Sequence, residues 1–204
     1  MDHPLRCRCG RLQGVLEHAE RVNRVVCYCR DCQAFARHLG RPDEILDENG
    51  GSDVIQTLPA NLRFTAGVDQ LACVRLSEKG LLRWYAACCN TPIGNTVANF
   101  RVSFIGLLHN CLEQGDVPLD TAFGPVRMWN ATQQAWHPVN PSKIAWIAGV
   151  LRFLKMVAGA RFDGSFRRTP LFSPETGAPI VVPKVLSAAE RQRLRAATDT
   201  VAAR

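Results

Sequence analysis

Hydrophobic positions in the first hundred residues come in short bursts and not at helical spacing. Residues 22–28, 62–65, 71–76 and 81–86 are strand-length and partly β-branched or aromatic, and they predict β-strands. Gly10, Gly14, Gly50, Gly51, Gly67 and Gly80 punctuate them as turns. Residues 31–39 predict one or two turns of helix, and the polar, acidic run 41–51 predicts a surface loop. Strand-like pieces at 102–108 and 126–129 follow among Pro, Asn and Gly. The texture then changes. Asn140 is a good N-cap and Pro141 suits a first helical position, so 142–160 predicts a long helix. It is apolar almost all round, with Arg152, Lys155, Ala145, Ala148 and Gly159 on one narrow face. After an extended segment over 169–183, Ser187 and Glu190 have the capping-box spacing that opens a final Arg-rich helix. The pattern as a whole predicts a mainly β fold, with a β-rich domain over 1–140 and a helical extension over 141–204.

At 204 residues and 47% hydrophobic the chain can bury one core, which excludes a disordered polymer or a collagen-like repeat. The net charge of +7 first suggests a polyanionic partner. Its distribution removes that suggestion from the domain. Residues 1–140 hold 14 basic and 14 acidic side chains, whereas 141–204 hold 11 and 4. The basic residues do not alternate with aromatics and match no DNA-binding motif, so no nucleic-acid partner is expected. For the extension three arrangements stay open: a helix buried against the domain, a homodimer through 142–160, or a membrane-surface contact. The start of the chain has no basic stretch followed by an apolar run, and a cytoplasmic location is expected.

The cysteines change the picture most. There are nine, an odd number, which excludes a fully paired disulfide framework. Seven form three groups: Cys7 with Cys9, then Cys27, Cys29 and Cys32, then Cys88 with Cys89. On an extended strand residues i and i+2 face the same side, and a turn after Cys29 would return Cys32 to the same point. Three thiolates at one locus repel one another unless a cation neutralises them, and zinc favours tetrahedral sulfur coordination. Three protein ligands leave a fourth position for water or substrate, as catalytic zinc sites do. Cys73 and Cys111 stand alone in apolar segments and read as core residues. Arg30 and Arg37 are near enough in sequence to serve a substrate carboxylate, and His38 could carry a proton. Serine-hydrolase, zincin and phosphate-loop motifs are absent from the sequence.

The order Cys7-Arg8-Cys9-Gly10, Cys27-Tyr28-Cys29-Arg30-Asp31-Cys32, Phe64-Thr65-Ala66-Gly67 and Tyr85-Ala86-Ala87-Cys88-Cys89-Asn90-Thr91-Pro92-Ile93 resembles the glutathione-dependent formaldehyde-activating enzyme family. That family includes the centromere protein V type. The resemblance covers about residues 5–95. It implies a β-tent-like domain of small antiparallel sheets with two zinc sites. Cys27, Cys29 and Cys32 would hold the catalytic ion; Cys7, Cys9, Cys89 and position 86 would hold the structural one. Position 86 is Ala, and Asn90 stands where the family has Gly. Cys88 could supply the missing ligand if a turn brought it to the same side as Cys89; a three-cysteine site or no metal are the other outcomes. The resemblance implies a zinc-dependent carbon–sulfur lyase-like protein that joins a small thiol such as glutathione to formaldehyde or another small aldehyde. The alternative is a non-catalytic zinc module serving a protein or membrane-surface partner.

Overall fold

The computed structural model of the chain describes residues 1–112 and 117–202, without the side chains of 198–202. Its elements begin with β1 (His3–Arg6), β2 (Gln13–Leu16), β3 (Asn23–Cys27), α1 (Arg30–His38), α2 (Pro42–Ile45) and β4 (Ser52–Thr57). Next come β5 (Leu62–Ala66), β6 (Leu71–Arg75), β7 (Leu82–Ala86), β8 (Thr91–Thr96), β9 (Ile105–Leu108) and α3 (Leu119–Phe123). Finally β10 (Met128–Asn130), α4 (Lys143–Phe162), β11 (Lys184–Val185) and α5 (Ala188–Ala202) complete the chain. The fold is mainly β with helices at the C-terminal end.

Strands β1, β2 and β5 form a three-stranded antiparallel sheet. The other eight form one sheet in the order β10-β3-β4-β9-β8-β7-β6-β11. It is antiparallel through its middle, while the edge strands β10 and β11 join β3 and β6 in parallel. Parallel pairing needs a long connection, and both edge strands follow β9, far along the chain from β3 and β6. The central strands β8 and β9 are buried at every position. Trp84 anchors the main core, and its Nε1 donates to Thr96 Oγ1 at 3.0 Å. Gly94 lets β8 lie close to β9, since a Cβ there would sit 3.0 Å from the Gly106 carbonyl oxygen.

Two sequence expectations are corrected. The run 41–51 is not simply a surface loop. It contains α2, and Ile45 and Leu46 bury themselves in a core cluster with Ala34, Phe35 and Leu39. The long helix is capped two residues later than expected: Ser142 Oγ accepts from Ala145 N at 3.4 Å, so α4 starts at Lys143. The second helix start follows its capping box. Ser187 N donates to Glu190 Oε2 at 2.8 Å and Glu190 N donates back to Ser187 Oγ at 3.2 Å.

The segment 141–204 packs on the rest of the chain. Leu171 and Phe172 enter the main core, Leu186 enters the cluster around Phe35, and Arg195 on α5 pairs with Asp31 on α1. Helix α4 touches the sheet edge through small residues. A Cβ on Gly149 would lie 2.9 Å from Met128 Cβ, and Gly149 and Ala160 are its buried residues.

Candidate metal centres

The first cluster is built at the junction of β3 and α1. Cys27 ends the strand, Cys29 is the N-cap of the helix and Cys32 is its third residue. The Cys29 backbone is extended (φ −65°, ψ 144°), and its Sγ accepts from Cys32 N at 3.4 Å. Helix capping therefore returns Cys32 to the cluster, where the sequence suggested an unspecified turn. The three Sγ atoms lie within 4.8 Å of one another, and among the described residues no fourth His, Cys, Asp or Glu joins them. The contact with Cys29, together with burial, pushes the Cys27 thiol up to about 11, against the pull of Cys32. Its contact with Cys27 lowers Cys29, but Cys32 and burial outweigh that and carry it to about 11. Cys27 and burial likewise raise Cys32 to about 11, against the pull of Cys29. Without a cation these groups stay protonated at neutral pH.

A cation is nonetheless buried beside them. Arg83, in the middle of β7, is 2% exposed. Its Nη1 lies 3.9 Å from Cys32 Sγ and donates to Asn95 Oδ1 at 3.2 Å, and its guanidinium stacks 5.3 Å over the Phe35 ring. Among the described residues no carboxylate forms an ion pair with it; Asp31, whose charge it senses, is paired with Arg195. Burial lowers the Arg83 pKa, yet the charges of Cys32, Cys29 and Asp31 and the contact with Cys32 together raise it further than burial pulls it down. The other buried arginine of the sheet, Arg24, is neutralised conventionally: Nη2 meets Asp53 Oδ2 at 2.7 Å and Nη1 meets Asp120. An isolated buried charge costs several kcal/mol. Three thiolates around a divalent ion carry about one net negative charge, which Arg83 cancels. Three neutral thiols would leave Arg83 uncompensated. The residues present thus fit a divalent metal.

The second cluster lies between two turns. After β1, residues 7–12 turn back on themselves: Gly10 N donates to Cys7 O and Cys7 N to Leu12 O, both at 2.9 Å. Gly10 has φ +76°, a left-handed conformation that glycine adopts without strain. The other turn joins β7 to β8, with Cys89 N donating to Ala86 O at 3.3 Å and Asn90 at φ 54°. Asn is among the non-glycine residues that tolerate this region. The turn lets the adjacent Cys88 and Cys89 face the same group, which an extended strand would forbid. Cys88 joins Cys7, Cys9 and Cys89, all four Sγ within 4.8 Å, while Ala86 is buried in the core. Sulfur–sulfur separations are 3.5 Å for Cys7–Cys9, 3.7 Å for Cys7–Cys88, 3.3 Å for Cys9–Cys88 and 3.8 Å for Cys88–Cys89. A tetrahedral zinc with bonds near 2.3 Å requires edges of about 3.8 Å, so the cluster has nearly the size of that polyhedron.

Thr91 organises one corner. Its Oγ1 accepts from Arg8 N at 3.0 Å and lies 3.1 Å from Cys89 Sγ, which leaves the hydroxyl hydrogen for the sulfur. Burial raises Cys89, but Thr91 and the Cys9 backbone outweigh it and hold this thiol down to about 6. Burial raises Cys88, helped by its contacts with Cys9 and Cys7. Arg8, Arg41, Glu44 and Thr91 line a cleft of about 240 Å³ next to this cluster.

Cys73 and Cys111 belong to the core; burial pushes Cys73 up to about 12, and Cys111 Sγ donates to Leu108 O at 3.1 Å. All nine cysteines are free thiols. Of the polar candidates, Arg30 opens α1, whereas Arg37 and His38 occupy its last turn. His38 is six residues beyond Cys32, about 9 Å along the helix axis, which is too far for direct proton transfer at the cluster. Burial lowers its pKa, as does the charge of Lys184. Sequence reasoning missed Arg83 and Thr91. The available signal for Arg83 was an arginine inside the apolar run 81–86, where a charge is expensive unless paired.

No curated protein matches the chain. A crystal structure of a Rhodobacter sphaeroides protein is similar at 19% identity over 62% of this chain and 99% of that one, with a TM-score of 0.39. The profile of a family of unknown function, DUF6151, matches residues 2–182. This chain, with its two cysteine clusters, belongs to that family.

Proposed function

We propose that this is a zinc protein in which Cys27, Cys29 and Cys32 hold a catalytic ion and Cys7, Cys9, Cys88 and Cys89 hold a structural one. Its reaction joins a small thiol such as glutathione to formaldehyde or another small aldehyde. The thiol sulfur bonds to the carbonyl carbon, the thiol proton ends on the carbonyl oxygen, and the reverse reaction breaks the same carbon–sulfur bond. The observation that carries the reading is the three-sulfur cluster against a buried arginine that has no carboxylate partner among the described residues. Three ligands leave a position that a fourth would close, and the two clusters differ in this respect. A zinc ion there supplies a Lewis-acid position that keeps a small thiol deprotonated at neutral pH. Arg83 offsets the negative charge that the thiolates accumulate, and the start of α1 adds the positive end of a helix dipole at Cys29 and Cys32. A reducing cytoplasm keeps the seven clustered thiols available for this role.

The test is glutathione-dependent loss of free formaldehyde catalysed by the full-length protein loaded with zinc. Cys29→Ala should abolish the activity and release one zinc while circular dichroism shows the fold intact. Activity that is absent from the zinc-loaded protein, or unchanged in Cys29→Ala, would leave a non-catalytic zinc module instead.

A further inference from the structure

Helix α4 turns an apolar stripe away from the domain. Ile144, Ile147, Leu151 and Leu154 are between 53% and 80% exposed, and Phe162 is 91% exposed. Their spacing puts them on one side of the helix, opposite Gly149 and Ala160, which seat it on the sheet edge. Single exposed apolar residues are ordinary, but a row of five along one helix marks an interaction surface. The charges of α4 narrow the choice of partner. They are Lys143, Arg152, Lys155 and Arg161, with no acidic residue in the helix. Helical periodicity places Arg152 and Lys155 along one flank of the stripe and Lys143 and Arg161 along the other. Beside the first flank is a cleft of about 680 Å³, where Arg21, Arg127, Arg152 and Lys155 outnumber Glu20 and Asp163.

We propose that α4 docks the protein on an anionic lipid bilayer, lying in the plane of the membrane surface. The stripe enters the boundary between headgroups and acyl chains, and the basic flanks and cleft meet lipid phosphates. Among the described residues no helix is long and apolar enough to cross a membrane, so the contact is made from one side. A second copy of the chain fits the charges poorly. Stripe against stripe would bring basic flanks onto basic flanks, with nothing acidic on α4 to pair with them.

Co-sedimentation of the full-length protein with phosphatidylcholine vesicles, with and without phosphatidylserine, tests this. Binding is expected to the serine-containing vesicles alone, and to weaken as added salt screens the charges. Leu151→Asp should abolish it, and the double variant Arg152→Glu/Lys155→Glu should weaken it by about tenfold or more. These side chains are exposed, and unchanged thermal unfolding would show that the variants fold. No binding to anionic vesicles, or equal binding to neutral ones, would overturn the proposal. So would a concentration-dependent dimer in sedimentation velocity that Leu151→Asp dissociates without any vesicle binding, which would assign the stripe to a second copy.

Discussion

Cys27, Cys29 and Cys32 gather at the start of α1 with a buried guanidinium beside them, whereas Cys7, Cys9, Cys88 and Cys89 gather between two turns with Cys9 at the surface. The same element, sulfur, is thus placed in two electrostatic settings. At the first cluster the chain provides a fixed positive charge, the buried Arg83, which would offset the net charge of a metal–thiolate group. At the second cluster it provides local hydrogen bonds, from Thr91 and the Cys9 backbone to Cys89, with exposed Cys9 and surface arginines such as Arg8 beside it. Ligand count follows the same division. The four-sulfur group is complete in itself, while the three-sulfur group has no fourth His, Cys, Asp or Glu among the described residues.

The largest expected effect separates the settings through Arg83. In metal-loaded protein, Arg83→Met should weaken the ion at the first cluster by about 2–4 kcal/mol and leave the second untouched. In chelator-treated protein the same substitution should raise stability, because it removes a buried cation with no counter-charge. Chelator competition and denaturant unfolding read the two signs. A substitution that destabilises both forms equally would break the comparison. Arg24→Met serves as the control: it strands Asp53 whether or not metal is present and should cost about 3–5 kcal/mol in either form.

A second, smaller contrast is in pH. Metal binding at the first cluster must displace protons from three thiols held at about 11. Its occupancy should therefore rise steeply as pH increases from 6 towards 9 (about three decades of affinity per unit at most). At the second cluster Cys89, held at about 6, is already largely ionised at neutral pH and gives up no proton there, so at most three protons leave its four thiols. Zinc titrations at several pH values, read by proton release, check both: three protons per ion are expected at the first cluster, and release of four at the second would contradict the ionised Cys89. The smallest effect is Thr91→Val. Loss of its hydroxyl should raise the Cys89 thiol and weaken metal at the second cluster alone by about 1 kcal/mol, which site-resolved chelator competition can measure.

Legibility in the sequence followed the range of the interaction. The cysteine groups were visible because the spacings 7/9 and 27/29/32 are local, and helices α4 and α5 because apolar runs and capping residues are local too. Strand β8 was not visible. Thr91, Pro92, Gly94 and Asn95 look like turn residues, yet the strand is buried throughout, and its polar side chains hold Cys89, Arg83 and Trp84. Cys88 entered its cluster through the turn that ends in the left-handed Asn90, a backbone state that composition does not reveal. Arg83 is fifty-one positions from Cys32, and nothing in the chain between them announces that β7 will pass the start of α1. The outward stripe of α4 was hidden for the converse reason: an all-round apolar helix does not say which side is covered.

The central claim is that each cluster holds one divalent ion and that the first depends on Arg83. Elemental analysis of the purified full-length protein beside Arg83→Met, both after the same mild chelation, tests it most directly. The account predicts two zinc ions per chain in the wild-type protein and one in the variant, with Cys7, Cys9, Cys88 and Cys89 still protected from alkylation in both. Two ions retained by both proteins would contradict the role of Arg83, and a single ion in the wild type, with the Cys27, Cys29 and Cys32 thiols free to alkylate, would contradict the metal at the first cluster.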